Sequence, residues 1–246
     1  MGQATSIFEG CLWYARPECE TPTWVESAVE HSDLERARRF TSPADASRFL
    51  WSRALLRYAL ADATGRQPEA IRLEERTGLA PRLSGGGGVY FSLSRTRSLV
   101  CVFVSKAGPV GVDAESLQAL PDLEQLAAVV LSENESDHLR GRLDAEAFLA
   151  VWTRKEAIAK ALGTGLPDDA RSLEVPIPLA KFRDMPWQRI DGQWIVATIR
   201  PPEGGGQIVS IVASLAGQAS VGSIEILPQA TALESASRAR IRFIAP

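Results

Sequence analysis

The stretch that most constrains this chain is Phe148 to Leu166, Phe-Leu-Ala-Val-Trp-Thr-Arg-Lys-Glu-Ala-Ile-Ala-Lys-Ala-Leu-Gly-Thr-Gly-Leu. Phe148, Val151, Trp152, Ile158, Ala159 and Leu162 recur at a helical period and share one stripe, which predicts an amphipathic helix. Gly163 follows the last periodic residue, where a C-terminal cap belongs. Glu156 and Lys160 are four residues apart on one flank of the stripe, a turn from Trp152. Lys155 points into the stripe, where an ammonium is costly unless its head escapes or finds a partner. Periodicity alone is satisfied by a surface helix with a Glu–Lys pair and a snorkelling lysine. A second acidic cluster upstream argues for more.

A chain of 246 residues suits one large or two modest domains. Hydrophobic residues make up 45% and charged residues 23%, the balance of a soluble globular protein. The net charge of -3 speaks against bulk attraction to nucleic acid, so any anion site must come from local clustering of basic residues. No run of 18 apolar residues exists, and no basic-then-apolar leader opens the chain. No membrane span or signal peptide is therefore expected, and the expected location is cytoplasmic. Met1-Gly2-Gln3-Ala4-Thr5-Ser6 fits the loose N-myristoylation pattern, but no basic patch follows as a second anchor. Cys11, Cys19 and Cys101 lie far from any C-x-x-C spacing and read as buried thiols in a reducing compartment. With His31 and His138 the only histidines, Ser-His-Asp catalysis and His-rich metal sites are poor fits. A bound metal would be a hard ion held by carboxylates.

In chain order, Leu12 to Ala15 predicts a strand and Thr23 to Phe40 a polar helical region. Ser42-Pro43 opens a helix that runs to about Ala63, before Gly65, with Phe49, Leu56 and Leu60 on its buried face. Arg48, Arg53 and Arg57 lie on other faces of that helix. They read either as a solvated surface or as a basic wall for a phosphate. Ile71 to Glu75 predicts a strand. Ser84 and the glycines Gly85 to Gly88 lack the Lys-Ser/Thr ending of a P-loop and read as a linker. Val89 to Ser94 and Leu99 to Val104 predict a hairpin, and Ala107-Gly108-Pro109 a boundary. The chain thus divides into residues 1–107 and 108–246. Helices follow at Asp122 to Val130, Glu133 to Arg140 and Asp144 to Leu162. Strands follow at Trp194 to Ile199, Ile208 to Ser214 and Gly222 to Ile226, separated by Pro201 to Gly206 and by Gly217. The expected class is α+β: two α/β halves, each a small, mostly antiparallel sheet packed with helices.

Val110 to Glu115 is a short predicted strand on which Asp113 and Glu115 project from the same face. Two acids on one face repel unless solvent or a cation relieves them. With Glu156 on the helix they could converge on one divalent ion, as magnesium takes a few carboxylates and completes its shell with water and substrate phosphates. A Gly-Val-Asp-x-Glu strand by itself is more often an edge strand than a metal site.

The pair Gly111-Val112-Asp113-Ala114-Glu115 and Trp152-Thr153-Arg154-Lys155-Glu156-Ala157-Ile158-Ala159-Lys160-Ala161 resembles the signatures of the 4'-phosphopantetheinyl transferase superfamily, in particular its larger, surfactin-type branch. Arg38-Arg39-Phe40 with Asp45 to Arg48, Phe91 to Thr96, and Gly163-x-Gly165-Leu166 extend the resemblance over roughly Arg36 to Leu166. The resemblance implies two similar halves with the active site between them: residues 1–107 toward the adenine and 3'-phosphate of coenzyme A, and 108–246 carrying the acids and signature helix. It implies transfer of the phosphopantetheine arm of coenzyme A to a serine of an apo acyl or peptidyl carrier protein, with release of adenosine 3',5'-bisphosphate. It further implies Mg²⁺ on Asp113, Glu115 and Glu156, with Glu156 or a relayed water as base for the carrier serine. Lys160 would meet the phosphates, and Arg48, Arg53, Gly78, Ser94 and Lys155 would stand among the coenzyme A contacts.

Two departures stand out. Arg95 occupies the position where the family's central hairpin has a histidine against the 3'-phosphate. It is expected to keep that role, because a guanidinium binds phosphate bidentately and stays charged. Gly78-Leu79-Ala80-Pro81 lacks the lysine many relatives carry between glycine and proline. The alternatives are a catalytically silent homologue that binds coenzyme A or a carrier protein, and an unrelated magnesium-dependent phosphohydrolase, for which no second Asp-x-Asp grouping exists. A monomer is expected, with no nucleic-acid or membrane partner.

Overall fold

The computed structural model describes residues 6–18, 21–76, 79–86, 88–177, 188–190, 192–201, 206–214, 223–229, 233 and 236–244. The start of the myristoylation-like pattern, Cys19, Gly78, Gly217 and most of the Pro201–Gly206 connection lie outside these residues. The order of elements is β1 (Ser6–Ala15), α1 (Thr23–Ala28), α2 (His31–Ala37), α3 (Pro43–Thr64), β2 (Leu73–Arg76), β3 (Leu79–Leu83), β4 (Tyr90–Arg95), β5 (Val100–Ser105) and β6 (Val110–Ser116). It continues with α4 (Leu123–Val130), α5 (Glu133–Leu139), α6 (Ala145–Leu162), β7 (Gln188–Ile190), β8 (Trp194–Ile199), β9 (Gln207–Ser214), β10 (Ser223–Gln229) and β11 (Ala236–Ile244).

Two antiparallel sheets form, ordered β10-β11-β1-β5-β4 and β6-β9-β8-β7, with β2-β3 as a separate hairpin. β5 and β9 are buried on both faces, and their period of 2 sorts residues between layers. In β5, Cys101 and Phe103 enter a core shared with Val110, Val112 and Ala114 of β6 and Val209, Ile211 and Ala213 of β9. Val100, Val102 and Val104 turn the other way and pack on Trp51, Leu55 and Leu56 of α3. Likewise Ile208 and Val212 of β9 face Phe148, Val151 and Ile158 of α6. The layers are therefore helix, sheet, sheet, helix, with the central core between the sheets. This is the expected α+β class with antiparallel sheets.

The caps follow local chemistry. Ser42 accepts the Asp45 N–H at 3.4 Å at the start of α3, and Gly65 closes it at φ 72°. Asp144 accepts the Ala147 N–H at 2.7 Å at the start of α6, and Gly163 ends it in the same left-handed conformation.

Several expectations need correction. Thr23 to Phe40 is broken into two short helices by extended backbone at Val29 and Glu30, where the Glu30 N–H donates to Asp33 Oδ2 at 3.1 Å and starts α2. α6 is no surface helix. It is buried on most sides, including Thr153, Arg154 and Lys155, whereas Leu162 of the supposed apolar stripe is 48% exposed. β3 and β11 were not expected as strands. β11 nevertheless alternates Arg238, Arg240 and Arg242 with Ala239, Ile241 and Phe243. Together with β10 it completes the first sheet from the far end of the chain.

Candidate functional site

The site forms where β4, β6 and α6 meet. On β6 the residues facing the central core alternate with Gly111, Asp113 and Glu115. A side chain at position 111 would run into the α6 backbone: a Cβ there would lie 1.8 Å from the Ala157 carbonyl oxygen. Glycine therefore lets the helix settle directly on the strand, and the acids at 113 and 115 meet the helix residues of its next turns. The edge strands β4 and β6 are tied by hydroxyls. Ser92 Oγ accepts the Val112 N–H at 3.0 Å and Ser94 Oγ accepts the Ala114 N–H at 3.2 Å.

Asp113 is buried at 6% exposure. Its Oδ1 accepts from Ser94 Oγ at 2.8 Å and from Lys160 Nζ at 2.7 Å, while Oδ2 is buried with no hydrogen-bond partner. Lys160 Nζ also reaches the Val112 carbonyl at 3.3 Å. Glu115 is hydrogen-bonded by Trp152. Burial first and the Asp113 charge second raise the pKa of both Glu115 and Glu156, with Lys160 opposing. A buried acceptor without a donor, beside two carboxylates that resist ionising, is the electrostatic deficit a hard cation would fill. The donor set thus fits magnesium. Among the described residues the carboxylates line one cavity without closing into a three-ligand cluster, and Lys160 carries the countercharge to Asp113.

Asp113, Glu115, Trp152, Glu156, Lys160, Ser94 and Arg95 line a cavity of about 360 Å³. It shares Leu93, Arg95, Glu156 and Lys160 with a larger cleft of about 580 Å³. That cleft extends past Arg36, Phe49, Ser52, Arg53 and Glu75 to Ala80, Pro81 and Arg82 of the β2–β3 hairpin. Arg95 sits at the junction, its guanidinium within 3.5 Å of Ser52 Oγ. Arg95 is exposed where it lines the two cavities. Desolvation, then Arg36, Arg53 and Arg48, pulls its pKa below the usual arginine value.

Of the residues singled out in the sequence, the structure brings Ser94, Arg95, Asp113, Glu115, Glu156 and Lys160 together. Arg53 lines the larger cleft but is bound to Asp33 at 2.8 Å and Glu75 at 2.5 Å. Arg48 pairs with Asp45 and lines neither cavity. Gly78 lies outside the described residues. Lys155 stands apart: its fully buried Nζ pairs with Glu135 Oε2 at 2.8 Å and donates to the Ala170 carbonyl at 3.0 Å, on the side of α6 away from both cavities. The expected reach toward phosphates is closed by this burial. Glu75 and Arg82 were missed. Arg82 directly follows the Ala80-Pro81 segment from which a basic residue was thought lost. Glu135 was missed too, although Ser132-x-x-Glu135 carries a capping-box spacing.

A cleft lined by arginines and joined to a carboxylate pocket is a site suited to a polyanion. The comparisons agree. The sequence profile of the 4'-phosphopantetheinyl transferase superfamily matches residues 109–198. A 4'-phosphopantetheinyl transferase of Nostoc sp., HetI, is 31% identical over 161 residues, covering 63% of this chain and 67% of that protein. The 4'-phosphopantetheinyl transferase AcpT of Salmonella typhimurium is 32% identical, over 56% of this chain and 70% of its own length. The L-aminoadipate-semialdehyde dehydrogenase-phosphopantetheinyl transferase of Eremothecium gossypii is 35% identical, over 68% of this chain and 62% of its own length. The chain belongs to the 4'-phosphopantetheinyl transferase superfamily.

Proposed function

We infer that the joined cavities carry phosphopantetheine from coenzyme A to the serine of an apo carrier protein. The observation that carries this reading is Asp113: one oxygen is held by Ser94 and Lys160, and the other is buried and unpartnered in a pocket shared with Glu115 and Glu156. That pocket opens into the arginine-lined cleft. A cofactor-sized anion reaching along the cleft would present its pyrophosphate at the carboxylates and its far phosphate near Arg95. Residues 1–107 would then supply the nucleotide side and residues 108–246 the reacting side. The Trp152 and Lys155-Glu156-Ala157 pattern supports assignment to the surfactin-type branch.

Asp113, Glu115 and Glu156 would hold a magnesium ion, which when bound neutralises charge growing on the pyrophosphate and leaving group. Glu156 lines both cavities and would take the serine proton, directly or through a relayed water. The serine oxygen forms a bond to the phosphorus that carries pantetheine. The bond from that phosphorus to the bridging oxygen breaks, and adenosine 3',5'-bisphosphate leaves. Lys160 Nζ, beside Asp113, is placed to stabilise the departing charge. Arg95 orients the far phosphate.

The test is to incubate the protein with coenzyme A, Mg²⁺ and an apo acyl or peptidyl carrier protein, then weigh the carrier. A gain of one phosphopantetheine is expected. No gain on any carrier despite measured coenzyme A binding would make the protein a silent binder, and hydrolysis without a carrier would make it a phosphohydrolase.

A further inference from the structure

We propose that Glu75 is a resident counter-anion of the coenzyme A cleft. It neutralises the arginine wall of the free enzyme, and an incoming phosphate group must displace it. The inference rests on the transferase reading of the cleft and adds a residue that sets the affinity of the cleft for phosphates.

Glu75 projects from β2, part of the hairpin that belongs to neither large sheet. Its Oε2 lies 2.9 Å from Arg36 Nη1 and its Oε1 2.5 Å from Arg53 Nη2. All three residues line the cleft. Each of the two arginines also has a contact other than Glu75. Arg53 is held from behind by Asp33 at 2.8 Å, in a pair whose side chains are 7% and 4% exposed. The guanidinium of Arg36 lies 5.1 Å from the centroid of the Phe49 ring, and that of Arg53 lies 5.9 Å from the same ring. Glu75 itself is half exposed, and an ion pair that meets solvent is weak and screened by salt. It can be exchanged at small cost.

Beside this pair stand two guanidinium groups, Arg82 and Arg95, that make no ion pair with an acid among the described residues. The wall around Glu75 therefore remains positive: Arg36, Arg53, Arg82 and Arg95 all line the cleft. Apart from Glu156 at the carboxylate end, a phosphate entering the cleft meets one acidic side chain in its lining, the Glu75 carboxylate. Removing the charge frees Arg36 and the outer face of Arg53 for the ligand while Asp33 and Phe49 keep both arginines in place. The device lowers the affinity of the vacant cleft for stray inorganic phosphate. A ligand with several linked phosphates overcomes it.

The experiment is calorimetric titration of coenzyme A into the full chain and into its Glu75→Gln variant at low and moderate salt, repeated with inorganic phosphate as competitor. Glu75→Gln should bind coenzyme A roughly threefold or more tighter at low salt, the scale expected for one partly screened charge. It should also show steeper salt dependence and stronger competition by inorganic phosphate. Equal or weaker binding by the variant, with the wild type binding, would show that Glu75 positions the arginines or contacts the ligand, and would overturn the proposal. A wild-type protein that binds no coenzyme A would overturn the transferase reading and this proposal with it.

Discussion

Gly111 and Ala157 set the distance between the acidic strand and the signature helix. The ideal Cβ of a side chain at 111 would stand 1.8 Å from the Ala157 carbonyl oxygen and 3.0 Å from the Ala161 nitrogen. Both obstacles are backbone atoms of α6, so no side-chain rotation relieves the contact. On the other face Val110 and Val112 are fixed in the central core, so β6 cannot retreat. Gly111→Ala should therefore destabilise the fold by about 3 kcal/mol or more, the upper range of overpacking. The midpoint of denaturant unfolding measures it. Wild-type stability in this variant would contradict the close packing of α6 on β6.

Lys155 and Glu135 form the second fixed relationship, and it is buried. Glu135 accepts the Ser132 N–H at 2.8 Å, the Val175 N–H at 2.8 Å and the Lys155 ammonium at 2.8 Å. It ties α5, α6 and the segment before Ile177 at one point. Lys155→Met leaves a buried carboxylate without its cation and should cost about 3–5 kcal/mol of stability. The Michaelis constant for coenzyme A in the folded fraction should change by less than about twofold, since the interaction is made away from substrate. An unchanged melting temperature with a large rise in that constant would put Lys155 in the cleft instead.

How much of this was legible depended on whether a residue's role lay in its own neighbourhood. The caps at Ser42 and Gly163, the hairpin around Arg95 and the shared face of Asp113 and Glu115 follow from local periods and turn chemistry. They stand as expected. The environment of Asp113 does not follow. Asp113 is buried beside β4, where Ser94 and Lys160 both hydrogen-bond one of its oxygens. Burial from a strand that returns across a sheet edge leaves no mark on the strand's own period. Lys155 shows the same limit. Its inward direction was readable, but Glu135 lies twenty residues away on another helix. β3 was hidden by Pro81, which lowers strand propensity, and β11 by its arginines. In β11, charge on one face obscured a strict alternation.

The carboxylates predict a response to divalent cations that does not need turnover. Burial first, and then crowding by the Asp113 charge, raises the pKa values of Glu115 and Glu156. A cation bound only to the folded protein relieves that crowding and shifts the unfolding equilibrium by mass action. Millimolar Mg²⁺ should raise the melting temperature by roughly 2–4 °C, and a chelator should reverse the gain. Glu156→Gln, which keeps size and removes charge, should lose most of the response. The same Mg²⁺ shift in Glu156→Gln as in the wild type would remove Glu156 from the cation site.

Arg95 makes the sharpest claim about substrate. It stands where the two cavities join and forms no acid pair among the described residues, so its charge is available to a phosphate. Arg95→Ala should raise the Michaelis constant for coenzyme A about tenfold or more, the scale of a charge-assisted hydrogen bond lost on binding. Arg95→His gives a more discriminating readout. Guanidinium remains cationic across the neutral range, whereas imidazole loses its charge as pH rises through about 6.5. The variant should bind coenzyme A well at pH 6 and progressively more weakly toward pH 8. The wild type should show no such loss on that limb. Parallel pH profiles for the two proteins would mean that the far phosphate is held elsewhere in the cleft.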